Sequence, residues 1–362
     1  MLGGTLARYF GGRFFVATVS VFGGIFLLVV LVDYVEMTRY ASKVPNASTL
    51  LVAQISFFRV PQVTERIIPF ATLIGAMACY LGLSRRLELV VARAAGISAW
   101  QFVAPALVVA LLIGAAATAV YNPISTHLRE YSKALEAELF GDGTGPAQAE
   151  AGFWISQRDG DGQDLINAAA SRNQGAILDG VTVLIFDGAG QFQRRIEART
   201  ATLETGFWRL SDAAVYTPSD PPQRLASLEL KTDLTAEQVR ESLATPETVS
   251  FWQLPQYIDL AERAGLTAAG YRLQYNLLIA RPFLLAGMVL LAASVSLRFF
   301  RFGGVTRMIL SGVIGGFLLY VTSKITEDMS KAELLHPLAA AWLPAMAGGL
   351  TGVLALLYLE DG

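Results

Sequence analysis

The stretch FFVATVSVFGGIFLLVVLV, residues 14–32, contains no formal charge. A membrane span needs about 20 predominantly apolar residues, because the hydrocarbon core of a bilayer is roughly 30 Å thick and a helix rises about 1.5 Å per residue. Asp33 and Glu36 follow this stretch where a signal peptide would have a small-residue cleavage site. We therefore interpret residues 14–32 as a retained membrane anchor.

The rest of the chain is also unusually apolar. Of its 362 residues, 53% are hydrophobic and only 16% are charged, which is too apolar for one soluble core. Five further stretches are apolar enough to cross a bilayer: 67–83, 99–121, 273–297, 303–323 and 338–359. The sequence therefore predicts an α-helical polytopic membrane protein with six transmembrane helices.

Arginines between these stretches predict the orientation of the chain. They occur before the first span, between the second and third, and between the fourth and fifth: Arg8, Arg13, Arg85, Arg86, Arg93, Arg298, Arg301 and Arg307. Short loops rich in Lys and Arg stay in the cytoplasm. We therefore expect both termini to be cytoplasmic and the long segment 123–272 to lie outside, which in a bacterium is the periplasm.

The segment 123–272 has the pattern of a β domain inserted between two helical parts, 1–122 and 273–362. Short alternating stretches are separated by Gly, Asp and Pro: 152–157, 180–186, 194–204, 206–216 and 224–232. Such punctuation is typical of an all-β sandwich or jelly-roll-like domain.

Two glycine- and aspartate-rich segments of this domain resemble binding motifs without matching them. Asp159, Asp161 and Asp164 lack the glutamate that completes a calcium loop, so we interpret them as a polar hairpin turn. The segment 141–148 lacks the Gly-Lys-Ser/Thr ending of a phosphate loop.

Several functional classes are disfavoured. The net charge of −2 argues against a nucleic-acid partner. No HExxH zinc motif or GxSxG elbow occurs, and the single Cys79 has no plausible histidine base. Ser294 and Ser311 lie within spans, where an intramembrane protease needs a nucleophile, but such serines usually bond to their own helix. We predict no catalytic residue, no metal and no cofactor.

A charged stretch, SRRLELVVARAAGIS at 84–98, separates the second and third spans. It is too short to cross a bilayer, and four apolar residues recur at helical spacing: Leu87, Val90, Val91 and Ala94. Gly96 suits a helix stop, and Ser98 with Gln101 forms a capping-box pattern that begins the next span. These residues alone favour an ordinary interfacial connector in which Glu88 pairs with Arg85.

Six segments together suggest a family. They are, in chain order, Arg8-Tyr9, VPQVTERIIPFATLIGA (60–76), RRLELVVARAAGIS (85–98), FWRLSDA (207–213), LKTDLT (230–235) and LPQYIDLAERAGLTAAGYRLQYN (254–276). In order and spacing the sequence resembles the lipopolysaccharide-export permease family, the paired LptF/LptG membrane subunits of an ABC transporter. It is more similar to the G-type than to the F-type subunit.

The resemblance implies six spans, a periplasmic β-jelly-roll, and a coupling helix at 85–96 that docks into a cytoplasmic ABC ATPase dimer. The residues of this sequence at the matching positions are Arg86, Glu88, Leu89, Arg93 and Gly96. ATP hydrolysis then belongs to the partner subunit, and this chain is no enzyme. A paralogous F-type permease and a single-span periplasmic bridge protein are the other expected partners.

The implied substrate is lipopolysaccharide, taken from the outer leaflet of the inner membrane and passed to the bridge. Its phosphates need cations, and the candidates are Arg39, Lys43, Arg129, Lys133 and Arg281. Lateral gates are expected between the first span of one permease and the fifth of the other, here at Val29, Gly312, Gly316 and Tyr320.

Two points of this assignment stay open. Arg281 lies within a span, so it either reaches the membrane lipids or faces the cavity and meets substrate phosphate. The family often has lysines near the end of the first span, where this chain has Asp33, Tyr34 and Glu36.

Two other functions remain as alternatives. The first is a polytopic anchor that presents a periplasmic β domain for envelope assembly or sensing and transports nothing. The second is an intramembrane enzyme.

Overall fold

The computed structural model describes residues 4–42, 44, 47–140, 153–159, 162–172, 176–187, 191–217, 221–232, 239, 246–263, 267–300 and 305–361. The chain divides into two compact units. A helical unit comprises Met1–Leu135 and Val249–Gly362, and a second unit comprises Glu136–Thr248.

The chain contains ten described α-helices, with a short π-helical turn, Ala117–Tyr121, between the fifth and sixth. They are α1 Gly4–Ala41, α2 Thr49–Glu65, α3 Ile68–Arg85, α4 Glu88–Ala94, α5 Ala99–Ala116, α6 Asn122–Phe140, α7 Leu254–Arg263, α8 Ala269–Phe300, α9 Val305–Lys331 and α10 Pro337–Asp361.

Within the part of the chain that the structure describes, six helices are long and apolar enough to cross a membrane: α1, α3, α5 continued by α6, α8, α9 and α10. This confirms the six predicted spans. The sequence did not predict α2, a helix of 17 residues that contains Pro61 and falls short of a span.

The helical core lies where α8 packs against α3, α5, α9 and α10. Small residues allow the helix backbones to approach closely, which is the usual packing mode in membranes. A Cβ atom added at Gly287 would lie 3.2 Å from the backbone of Gly348, and one added at Gly75 would lie 2.6 Å from the Cα atom of Thr18. The positions of α8 and α10, and of α1 and α3, therefore depend on the absence of side chains at these glycines.

Gly75 and Gly82 provide a matched pair of sites in α3. We expect Gly75→Ala to force α1 away from α3 and to cost about 1–3 kcal/mol, the usual effect of overpacking. We expect Gly82→Ala to be neutral or slightly stabilising, since its Cβ would meet nothing within 4 Å. Thermal unfolding of both variants in detergent tests this, and an unchanged midpoint for Gly75→Ala would contradict the described packing.

The described residues of the second unit form six antiparallel strands in chain order, which confirms the predicted all-β domain. They are β1 Phe153–Asp159, β2 Gly162–Arg172, β3 Ile177–Asp187, β4 Phe192–Glu204, β5 Phe207–Tyr216 and β6 Gln223–Lys231. Their shared apolar face is buried and includes Ile155, Ile166, Val183, Ile196, Trp208 and Leu210. All described strands belong to this one sheet.

Strand β2 was not predicted, because GQDLINAAASR has few β-branched residues and no clear alternation.

Asp164, expected in a turn, instead lies within β2, where it is buried and accepts a 2.9 Å hydrogen bond from Gln157. Asp159 ends β1 and pairs with Gly162. Asp161 and the segment 141–148 lie outside the described residues.

The sheet curls so that its two outer strands meet. Gln157 of β1 donates a 3.0 Å hydrogen bond to the carbonyl oxygen of Lys231 at the end of β6. Its amide oxygen accepts a 2.6 Å hydrogen bond from the hydroxyl of Thr232. These contacts join the outer strands of the curled sheet around its apolar face. They also satisfy polar groups that would otherwise be costly to bury.

Candidate functional site

The surface helix α4 is held by local features at both ends. Leu87 precedes it in the left-handed conformation, with φ of 59°, and Gly96 follows it with φ of 80°. The capping box predicted at the start of α5 is present: the Gln101 backbone amide donates to Ser98 Oγ, and the Ser98 amide donates to Gln101 Oε1. Because both connections are short and fixed, α4 cannot move without its neighbouring spans.

The α-helix itself covers Glu88–Ala94, a shorter range than the predicted 85–96. Arg85 is the last residue of α3 and Arg86 caps that helix. The left-handed Leu87 separates the two helices, a conformation that the sequence did not reveal because it is rare for a residue with a Cβ atom.

Helix α4 has one buried and one exposed face. The apolar residues predicted to share a face are all exposed: Leu87, Val90, Val91 and Ala94. Leu89, one of the predicted coupling residues, is only 3% exposed and packs in the helical core. It therefore anchors α4 to its own chain. Arg86 and Arg93 are exposed beside the apolar strip. The resulting surface is apolar with flanking cations.

Glu88, which we expected to pair with Arg85, instead contacts the first span. The Tyr9 hydroxyl donates a 2.9 Å hydrogen bond to Glu88 Oε2. Arg13 Nη2 donates a 2.9 Å hydrogen bond to the same Tyr9 oxygen. Three side chains therefore connect the start of α1 to α4.

A polar cluster is buried where α2, α6 and α8 meet. Arg281 Nη1 lies 2.5 Å from Glu65 Oε1, and the two side chains are 15% and 7% exposed. The Asn122 amide donates to Glu65 Oε1, and the Ser125 hydroxyl donates to Glu65 Oε2, both at 2.9 Å. The carboxylate thus accepts three hydrogen bonds, which is what a buried charge requires.

Further hydrogen bonds extend this cluster. Asn122 Oδ1 accepts from the backbone amide of Phe251 at 2.8 Å. The Tyr121 hydroxyl lies 2.9 Å from Thr64 Oγ1 and donates to the carbonyl oxygen of Pro61 at 3.0 Å. Tyr121 ends the π-helical turn, a local irregularity that often occurs at functional sites.

Arg281 therefore has an intramolecular partner that sequence reasoning missed. Neither membrane lipid nor substrate phosphate, the two partners considered, is needed to explain its burial. The available signal was Glu65 itself, an acidic residue just before the second apolar run, because an arginine within a span requires a counter-charge.

Three of the four other candidate phosphate-binding cations lie on two helices. Arg39 is exposed in the last turn of α1, with its guanidinium 5.9 Å from the centroid of the Tyr40 ring. Arg129 and Lys133 lie one turn apart on α6, the first half-buried and the second exposed. Lys43 lies outside the described residues.

Asp33, where the family often has lysines, has a structural partner. Its Oδ1 atom lies 3.6 Å from Arg59 Nε of α2, and both side chains are largely buried. This contact joins the end of α1 to the helix that the sequence did not predict.

The proposed gate residues of α9 recur at every fourth position on the side of the helix that meets α3, and Val29 lies on α1. Gly312 and Gly316 are buried against Met77 and Leu73 of α3, within the same chain. Tyr320 is 45% exposed and its ring lies 5.4 Å from that of Phe70.

Val29 of α1 is half-buried. The face of α9 away from α3 carries exposed apolar side chains, among them Val313, Ile314, Phe317 and Leu318.

Comparison with known proteins agrees with this architecture. The sequence pattern of the family described as "Lipopolysaccharide export system permease LptF/LptG" matches residues 8–358. The lipopolysaccharide export system permease protein LptG of Escherichia coli strain K12 is 24% identical over 350 residues, 94% of this chain and 95% of the relative. The protein of the same name from Haemophilus influenzae strain Rd is 22% identical over 354 residues, with the same coverage. With six apolar helices and a family match over almost its whole length, the chain is a multi-pass inner-membrane protein that belongs to the LptF/LptG family of lipopolysaccharide export system permeases.

Proposed function

We propose that this chain is a G-type transmembrane permease subunit of an ABC transporter that extracts lipopolysaccharide from the outer leaflet of the inner membrane. It passes the lipid to a single-span periplasmic bridge protein. ATP is hydrolysed by a separate cytoplasmic ATPase dimer, and a paralogous F-type permease forms the other half of the membrane part. The family match and the names of the relatives support this proposal.

The observation that carries the proposal is the exposed surface of α4. Val90 and Val91 of α4, together with Leu87 directly before it, form an exposed apolar strip near Arg86 and Arg93, and the helix is fixed between two spans. Such a strip suits a groove on a partner protein, with the arginines at its rim. A force applied by the ATPase at α4 would then move α3 and α5.

The substrate route uses surfaces of the same helical unit. Arg39, Lys43, Arg129 and Lys133 contact lipopolysaccharide phosphates in this proposal, whereas Arg281 pairs with Glu65. The gates form along the exposed faces of α1, around Val29, and of α9, around Tyr320. Gly312 and Gly316 serve the gate indirectly, by letting α9 lie close to α3.

Co-purification tests the assignment directly. The chain, extracted in mild detergent from its native membrane, should bring with it an ABC ATPase and a second permease of the same family. A non-transport anchor would be recovered without an ATPase, and that outcome would contradict the proposed transport function.

The proposed topology predicts a labelling pattern. In a Cys79→Ala background, a cysteine introduced at exposed Arg224 of β6 should react with a membrane-impermeant thiol reagent in spheroplasts. One introduced at exposed Ala95, beside α4, should react only after the membrane is permeabilised. Labelling of Ala95→Cys in intact spheroplasts would contradict the six-span orientation with α4 in the cytoplasm.

Charge reversal at the rim tests the phosphate contacts. If Arg129 and Lys133 bind substrate phosphate, converting both to glutamate should reduce photocrosslinking of lipopolysaccharide at least severalfold, because charge-assisted contacts to phosphate are among the stronger hydrogen bonds. Assembly with the partner subunits should persist. Unchanged crosslinking in an assembled complex would show that Arg129 and Lys133 do not bind substrate phosphate.

A further inference from the structure

The contact between Tyr9 and Glu88 joins residues 79 positions apart in the sequence, at the point where α4 meets α1. Helix α4 is connected to α3 and α5 through the chain itself, by short fixed links. Its connection to α1 depends on side chains alone. The chemistry of those side chains therefore decides whether α1 follows α4 when α4 moves.

Helices α1 and α4 share a buried apolar cluster and are joined directly by a side-chain hydrogen bond. Phe10 and Leu89 belong to the same buried apolar cluster, in which the Phe10 ring lies 6.4 Å from that of Phe102. Apolar burial is non-directional, so membership of this cluster does not by itself fix the position of α4 along α1. The Tyr9–Glu88 hydrogen bond is directional and charge-assisted, and it fixes the position of α4 along α1.

Arg13 stiffens this link. Its guanidinium lies 5.3 Å from the centroid of the Tyr9 ring and donates a hydrogen bond to the Tyr9 oxygen. The Tyr9 phenol therefore contacts Arg13, a cation on its own helix, and at the same time donates a hydrogen bond to Glu88 of α4. Glu88 Oε1 has no hydrogen bond among the described residues, so the carboxylate retains an acceptor for a docked partner.

Helix α1 is suited to respond to such a link. Its most apolar stretch has a smaller buried share than that of any other of the described apolar helices. Its close approach to α3, at Thr18 and Gly75, lies nine residues beyond Tyr9, roughly 13 Å along the helix. We expect a displacement applied at Tyr9 to tilt α1 about this crossing and to move the outer part of the helix, including Val29.

We propose that the Tyr9 phenol is a positioning group that passes displacement of α4 to α1, and thereby couples ATPase action to the gate. This inference rests on the proposed transport function. It assigns a role to the Arg8-Tyr9 segment that precedes the first span.

The test is Tyr9→Phe in the purified complex with its ATPase and partner permease, reconstituted into proteoliposomes that contain lipopolysaccharide. The variant removes one oxygen atom and keeps the ring. ATPase co-purification should be unchanged and ATP hydrolysis should stay within about twofold of wild type, while lipopolysaccharide released per ATP hydrolysed should fall at least fivefold. Tyr358→Phe, an equivalent change at a tyrosine that is 84% exposed on α10, should behave as wild type.

Three other outcomes of this experiment would contradict either the inference or the proposed function. If Tyr9→Phe releases as much lipopolysaccharide per ATP as wild type, the link is not a coupling element, although the proposed function stands. If the variant loses its ATPase, Tyr9 is a docking or folding residue and the inference is wrong. If the wild-type complex contains no ATPase and releases no lipopolysaccharide, the proposed function fails and the inference fails with it.

Discussion

Lipopolysaccharide transport should be abolished by Glu88→Lys while the chain remains inserted and folded. The lysine would lose the hydrogen bond from Tyr9, place a cation beside Arg13, and remove the acceptor that we assign to ATPase docking. Folding should survive because Leu89 and Ala92, which anchor α4, stay buried.

Glu88→Gln is the matched control for this change. The amide keeps one acceptor oxygen of the two and adds no positive charge, so we expect Glu88→Gln to lose less ATPase recruitment and less transport than Glu88→Lys. The two variants are compared at equal membrane levels, by ATPase pull-down and by lipopolysaccharide release. Wild-type binding and transport with Glu88→Lys would make α4 an inert connector.

The second large effect is expected on stability, at the Glu65–Arg281 pair. Glu65→Ala leaves Arg281 buried without its counter-charge and removes the acceptor for Asn122 and Ser125. Breaking a buried ion pair from one side typically costs about 3–5 kcal/mol. We expect the variant to unfold at a clearly lower temperature in detergent, or to be recovered at low levels.

A double variant separates lost charge pairing from lost packing. Replacing both partners by apolar residues of similar volume, Glu65→Leu with Arg281→Met, leaves no unpaired charge and should be more stable than Glu65→Ala. If Glu65→Ala unfolds at the wild-type temperature, the pair does not hold α2, α6 and α8 together. If the double variant is no better than Glu65→Ala, the loss arises from packing and not from an uncompensated charge.

The features that the sequence predicted well are local. Runs such as 14–32 identify spans because length and hydropathy alone decide whether a helix suits a bilayer. Gly96 and the Ser98–Gln101 capping box were predicted because each depends on residues within one turn of a helix. The β domain followed from alternation and turn residues, except for β2, whose alanines carry little strand preference.

The features that the sequence did not predict depend on residues far apart in the chain. Glu65 and Arg281 are 216 positions apart, and no sequence pattern around either residue indicates that the other is its partner. The same holds for Tyr9 and Glu88. The glycines of α9 indicated close helix packing, but the sequence could not say that α3 of the same chain is the neighbour at Gly312 and Gly316.

The most direct measurement of the central claim is ATP-dependent lipopolysaccharide release from proteoliposomes that contain this chain, its co-purified ATPase and its partner permease, with the periplasmic bridge protein as acceptor. We expect release that requires ATP and that stops when this chain is omitted or carries Glu88→Lys. Release that continues without this chain, or a complete complex that hydrolyses ATP and moves no lipopolysaccharide, would contradict it.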